Sequence, residues 1–216
     1  MSFSMICIQL LKGLGSTCLI FALTLLLSLP LGLLVCFGRM SRFKPLQYVV
    51  RFFISILRGT PLMLQLSVVC FAPYYVFGMK LTAGWTFAAL IIGFVINYAA
   101  YFAEIYRGGI ESIPVGQYEA AEVLGYTRGQ TFGRIILPQM VKRVLPPVTN
   151  EVITLVKDTS LAFVLSYAEM FTIAKRVANS ISSVMPLFVA GLFYFVFNAI
   201  VAWAMEKIEK RMSYYH

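Results

Sequence analysis

Glu119-Ala-Ala-Glu-Val-Leu-Gly125, followed by Ile135-Ile-Leu-Pro138, has the form E-A-A-x3-G-x9-I-x-L-P. It sits in the 42-residue segment 107–148, which has no apolar run of membrane length. Ala120 and Ala121 let another surface approach closely. Glu119 and Glu122 read as the start of a short helix, where the positive end of the helix dipole favours carboxylates. Gly125 permits the reversal that ends it. From these residues alone two readings stay open: an amphipathic helix lying on a membrane, or a plug for a socket on another protein.

The rest of the chain is of a different kind. Of 216 residues, 60% are hydrophobic and only 12% charged, and the mean hydropathy is +0.82. Soluble domains are about half apolar and about a quarter charged, so the chain reads as an integral membrane protein with several spans. Helices are expected, because backbone facing lipid must satisfy its own hydrogen bonds. A barrel would show short alternating segments, and the apolar runs here are long. The net charge of +9 is that of Lys and Arg kept in cytoplasmic loops rather than of a nucleic-acid binder. Cys7, Cys18, Cys36 and Cys70 form no CxxC pair, which leaves zinc and redox motifs unsupported. The one histidine is His216, which argues against catalysis by an internal His base. The N-terminus lacks a basic n-region and a small-x-small cleavage site, so it does not read as a signal peptide.

Five spans are expected. Residues 1–13 lie at the interface or extend the first span. That span is 14–38, with Thr17, Thr24 and Ser28 on one protein-facing side and a kink at Pro30. Residues 46–77 are too long for one crossing of a roughly 30 Å core. Arg58-Gly-Thr-Pro61 divides them into an interfacial stretch, 46–58, and a span from about 60 to 77. The third span is 85–106. Pro114, Pro138, Pro146 and Pro147 cut 107–148 into short helices. The fourth span is 148–171, then a polar loop over 172–183, then the fifth span, 185–205, and a charged tail. The 39–51 turn, the 107–148 segment and the tail carry twelve Lys and Arg, against four on the other side. The positive-inside rule makes the richer side cytoplasmic, with the N-terminus outside and the C-terminus inside.

With Ile135, Leu137 and Pro138 completing the pattern, the loop resembles the EAA loop of ABC importer permeases. Further segments look like the polar amino acid uptake branch: Arg58-Gly-Thr-Pro-Leu62, Tyr98-Ala-Ala-Tyr-Phe-Ala-Glu-Ile-Tyr-Arg107, Gly108-Gly-Ile-Glu-Ser-Ile-Pro114, Gly116-Gln-Tyr-Glu119 and Asn150-Glu-Val-Ile-Thr-Leu-Val-Lys-Asp-Thr-Ser160. The resemblance covers essentially the whole chain. It implies an all-α membrane protein of type I importer fold, one permease domain over 1–216, in a bacterial cell membrane. The loop would be the coupling helix, with Glu119, Ala120, Ala121, Gly125, Ile135, Leu137 and Pro138 seated in an ATP-binding subunit. Two ATPase subunits, a second permease, identical or homologous, and an extracytoplasmic amino acid-binding protein are the implied partners. ATP and magnesium would be held by the ATPase, since this chain has no GxxxxGK[ST] loop.

A zwitterionic cargo needs a partner at each end, and charges inside spans are costly enough to be functional candidates. Lys157 and Asp158 fall about 15 Å into the fourth span by helical rise. Lys157 suits a carboxylate and Asp158 an ammonium; a structural ion pair across a subunit interface is the other reading. Arg58 and Glu104 read as a pair locking the second span to the third, or as an inner gate. Thr60 and Pro61 interrupt a helix, and the backbone groups freed there suit a carboxylate. Gln65 follows Arg58 by one heptad. Asn97 and Tyr101 either line the path or bond a neighbouring helix. The competing classes are a stand-alone channel or assembly factor, and an intramembrane enzyme, for which no cofactor motif is present.

Overall fold

The computed structural model describes residues 3–212, all helix and turn with no strand among them. In order these are α1 (Phe3–Arg39), α2 (Lys44–Gly59), α3 (Leu62–Phe77), α4 (Ala83–Glu111), α5 (Val115–Val123), α6 (Arg128–Thr131), a π-helical turn (Phe132–Ile136), α7 (Leu137–Asp158), a 3-10 helix (Thr159–Leu165), α8 (Met170–Ile181) and α9 (Met185–Met212). Among the described residues three helices are long and apolar enough to cross a membrane: α1, α4 and α9. The pair α2 and α3, bent by 111° at their break, makes a fourth crossing if counted as one.

The core is the face of α4 laid against α1. Leu90, Phe94, Ala100, Phe102 and Ala103 of α4 are fully buried. From Thr17 onward the buried residues of α1 fall at Thr17, Ile20, Thr24, Ser28, Gly32 and Cys36, every third or fourth position, one side of a helix. Three are the polar residues expected to face protein. Small side chains are what this seam requires, because lipid supplies no hydrophobic drive between helices and close packing must hold them. At Gly32 an added Cβ would lie 2.8 Å from Phe102 Cβ and 3.1 Å from the Ala99 carbonyl.

Several expectations hold in this architecture. Residues 3–13 continue the first helix rather than lying flat; Met1 and Ser2 lie outside the described residues, as does the tail beyond Met212. The 46–77 run breaks at Thr60-Pro61, as the proline predicts. Pro61 cannot donate a backbone hydrogen bond, so carbonyls of the preceding turn need other donors. Gln65 Nε2 supplies one to Leu57 O at 2.8 Å and reaches Thr60 Oγ1 at 2.8 Å. Asn97 Nδ2 on α4 donates to Gln65 Oε1 at 2.9 Å and to Leu57 O at 3.2 Å. The bend is thus tied to α4 by side-chain amides. Replacing Asn97 with alanine should strip both bonds and cost about 1–3 kcal/mol, the range for orphaning a buried polar group. Thermal unfolding in detergent reads this, and an unchanged midpoint would show that the amides do not hold the bend.

Four expectations fail. Pro146 and Pro147 do not divide α7, which runs through both. Each removes one ladder donor, yet the turns around them keep theirs. The segment 148–171 is not one span: α7 ends at Asp158, tightens into the 3-10 helix and reverses at Ser166, whose φ is +54°. Thr159 Oγ1 and Ser160 Oγ donate back to the carbonyls of Val156 and Lys157, both at 2.7 Å, taking acceptors that a continuing helix would use. The stretch 172–183 is no loop, since most of it belongs to α8, whose buried face is Met170, Ala174, Val177 and Ala178. Glu119 and Glu122 are not at a helix start, because α5 begins after Pro114 and Glu122 falls in its last turn. Proline suits a helix start because its fixed φ is pre-set for one.

Candidate functional site

The E-A-A stretch folds as a short helix that stands clear of the rest. Pro114 opens α5, and Gly125 closes it in the left-handed region at φ +76°. The closure is a Schellman turn: Tyr126 N donates to Ala121 O at 3.0 Å and Gly125 N to Glu122 O at 2.9 Å. Ala121 is fully buried against the chain's own loop, whereas Glu119 and Ala120 face out. Val123 is 87% and Leu124 73% exposed, and Val115 is 69% exposed. Apolar side chains this bare outside the spanning helices are covered by none of the described residues.

The I-x-L-P end holds the loop in place. Ile135 lies inside the π-helical turn, which ends at Ile136, Leu137 opens α7, and Pro138 sits in the first turn of α7. Gln139 Nε2 donates to Ile135 O at 2.9 Å and to Gln117 Oε1 at 3.4 Å, tying α7 to α5. Thr127 and Gln130 form a reciprocal capping box that starts α6. On the other side, Gly109 of α4 packs into α7 so closely that a Cβ would fall 2.2 Å from Val144 Cγ1. Arg143 of α7 donates to Ser112 O, at the base of α5.

The proposed path residues separate into two groups. Thr60, Pro61, Gln65 and Asn97 belong to the amide-tied bend, where Thr60 Oγ1 also donates to Ile56 O at 2.8 Å. Arg58, Tyr101, Tyr98 and Asp158 form a connected line across three helices. The Arg58 guanidinium lies 5.2 Å from the Tyr101 ring centroid, Tyr101 neighbours Tyr98 at 6.5 Å between centroids, and Tyr98 Oη donates to Asp158 Oδ2 at 2.8 Å. Asp158 sits at the end of α7, at the reversal, not halfway along a straight span. Lys157 is exposed and points elsewhere, with no ion-pair partner among the described residues. Adjacent helical positions diverge by about 100°, which is why the two do not meet.

The expected Arg58–Glu104 pair does not form. Glu104 Oε1 lies 3.3 Å from Arg39 Nε, and its Oε2 accepts from Arg107 Nη2 at 2.7 Å and Nε at 2.9 Å. The bend at Thr60 sets Arg58 over Tyr101, nearly one turn from Glu104, while the end of α1 brings Arg39 to the carboxylate instead.

Tyr98 and Glu169 were not among the residues singled out from the sequence. Glu169 is fully buried and caps α8, accepting from Phe171 N at 2.7 Å, Thr172 N at 2.6 Å, Thr172 Oγ1 at 2.8 Å and Tyr194 Oη at 2.9 Å. It joins α8 to α9, and beside it Met170 N donates to Thr17 Oγ1 of α1 at 3.3 Å. Placing 148–171 in one span hid it. An acid three residues before a threonine was the available signal for a helix start.

The model of the family described as binding-protein-dependent transport system inner membrane component matches residues 28–214. The arginine transport system permease protein ArtQ of Bacillus subtilis (strain 168) is 33% identical over 205 residues, covering 94% of this chain and 92% of that protein. The octopine transport system permease protein OccM of Rhizobium radiobacter is 37% identical over 192 residues, 84% of this chain and 78% of that one. A crystal structure of an amino acid ABC transporter with histidines superposes with a TM-score of 0.85 at 30% identity over 94% of each chain. An inward-facing structure of the MetNI methionine ABC transporter gives a TM-score of 0.74 at 18% identity, over 99% of this chain and 100% of that one, a likeness in fold alone.

Proposed function

The chain belongs to the family of binding-protein-dependent transport system inner membrane components, as a permease subunit of an amino acid ABC importer, and from that premise we propose how it couples and what it carries. It is a multi-pass transport subunit of type I fold, not an enzyme; ATP hydrolysis lies in a separate subunit. In our reading residues 1–216 form one permease domain with five crossings: α1, the bent pair α2–α3, α4, α7 with the 3-10 helix after it, and α9. The N-terminus is outside and the C-terminus cytoplasmic, supported by twelve Lys and Arg against four. The membrane is the bacterial inner membrane. The partners are two ATPase subunits, which hold ATP and magnesium, a second permease and an extracytoplasmic amino acid-binding protein.

The observation that carries this reading is the bare apolar end of α5, with Val123 and Leu124 exposed beside the left-handed Gly125. Glu119, Ala120, Ala121 and Gly125 form the knob, and Ile135, Leu137 and Pro138 form its footing. ATP-driven closure of the ATPase pair moves two such knobs together and opens the path outward. The cargo path follows the line Arg58, Tyr101, Tyr98, Asp158, with Lys157 turned toward the second permease. Arg58 offers a cation to the carboxylate and Asp158 an anion to the ammonium. Thr60, Pro61, Gln65 and Asn97 shape the bend beside them. Glu104 leaves the path, since both its oxygens are engaged by arginines.

Reconstitution in liposomes with an ATPase and a binding protein tests this. ATP-dependent uptake from a panel of labelled amino acids is the expected result. Asp158→Asn keeps an acceptor for Tyr98 but removes the charge. It should lower uptake by more than about tenfold, the effect of roughly 1.4 kcal/mol, while the ATPase still turns over. Uptake at the wild-type rate in this variant would remove Asp158 from the path. A channel or assembly factor would show no dependence on ATP.

A further inference from the structure

We propose that Glu104 is the positioning residue through which movement of α5 reaches α1, an assignment that rests on the coupling role argued above. Only Ser112, Ile113 and Pro114 separate the end of α4 from α5, and Ile113 is buried. A displaced α5 therefore acts first on the last turns of α4. Those turns carry a ladder of charges: Arg39 of α1 meets Glu104, Glu104 meets Arg107, and Arg107 meets Glu111, the last residue of α4. From the other side Arg143 of α7 holds Ser112 O.

The Arg39–Glu104 rung of the ladder differs from an ordinary surface pair in its access to water. The side chains of Arg39 and Glu104 are 18% and 14% exposed, whereas those of Lys210 and Glu206, paired on α9, are 74% and 59% exposed. Exposed pairs are screened and contribute little, while pairs withdrawn from water interact more strongly. Arg107 also grips one Glu104 oxygen with two nitrogens, leaving the second oxygen for Arg39. Above this point α1 and α4 meet through close side-chain packing and one long hydrogen bond, Tyr106 Oη to Leu29 O at 3.4 Å. Among the described residues the Arg39–Glu104 contact is the ion pair that joins the two helices, at the end nearest the knob. It ties α1, a helix far from the loop in sequence, to the stroke of α5.

The test uses the complete reconstituted importer and measures amino acid carried per ATP hydrolysed. Glu104→Gln should cut that ratio at least about fivefold, a loss of roughly 1 kcal/mol of coupling, with ATP hydrolysis stimulated by the binding protein retained. Arg39→Gln should lower that ratio too, and the double variant should be no worse than Glu104→Gln alone, since the Arg39–Glu104 contact is already lost there. Glu104→Asp should recover part of the ratio. Should Glu104→Gln fail to insert, Arg39→Gln is read by itself with the same expectation. A wild-type ratio in either variant overturns the proposal, as does a parallel fall of uptake and hydrolysis at constant ratio. A wild-type assembly that takes up nothing overturns the coupling role and this inference together.

Discussion

Replacing Gly125 with valine is expected to reduce uptake more than about tenfold while the protein still inserts and folds. The backbone there has φ +76°, a region that costs a side-chain-bearing residue roughly 1–2 kcal/mol, and β-branching adds to the strain. An added Cβ would meet nothing within 4 Å, so the subunit itself offers no clash and no reason to unfold. The damage falls on the shape of the Schellman turn and on whatever surface receives it. Asparagine tolerates the left-handed region best after glycine, so the residual uptake should rank Asn above Ala above Val. A valine variant that transports normally would detach the turn from coupling. A variant that fails to insert would mean that α5 serves folding rather than docking.

Gly13→Val should act in the opposite way, on the fold. A Cβ at Gly13 would lie 2.8 Å from Met170 Cα, 2.9 Å from Met170 N and 2.8 Å from Ile173 Cδ1. Two of these are backbone atoms at the start of α8, just after the buried Glu169 cap, and they cannot swing aside as a side-chain tip can. Forcing α1 and α8 apart would also break the bond from Met170 N to Thr17 Oγ1 and disturb the cap. The expected loss is at or above the upper end of the about 1–3 kcal/mol typical of overpacking, read as a lower thermal midpoint and less monodisperse protein in detergent. Gly15, two residues on, has nothing within 4 Å of its Cβ position, and Gly15→Val should be nearly silent. Equal effects at both sites would show that helix propensity, not the contact with α8, sets the outcome.

Much of the architecture was legible from local chemistry. The apolar runs located α1, α4 and α9, because bilayer thickness sets a length that composition can be measured against. The break at Thr60-Pro61 followed from proline's missing donor. The closure of α5 followed from Gly125, because only glycine enters the left-handed region without cost. The small polar residues Thr17, Thr24 and Ser28 announced a protein-facing side by their spacing alone. Glu119 and Glu122 were misplaced because Pro114 starts the helix one turn earlier than the motif suggests.

Pairings were not legible, because they depend on which helices lie side by side. Glu104 had Arg58, Arg39 and Arg107 as possible partners, and Arg39 is brought to it only by the packing of α1 on α4. Asp158 found Tyr98 sixty residues away. The fate of 148–171 turned on hydroxyls of Thr159 and Ser160 folding back on the backbone, and on Glu169 finding four donors that three separate positions supply. Periodicity, turn chemistry and membrane length are properties of neighbours along the chain, so the sequence by itself determined the long apolar helices, the break between α2 and α3 and the helix of the knob, but not α7 or α8. Charge pairing and the burial of polar groups are settled by competition among segments distant in sequence, so only the tertiary structure decided where the path's charges and the ladder beneath α1 find their partners.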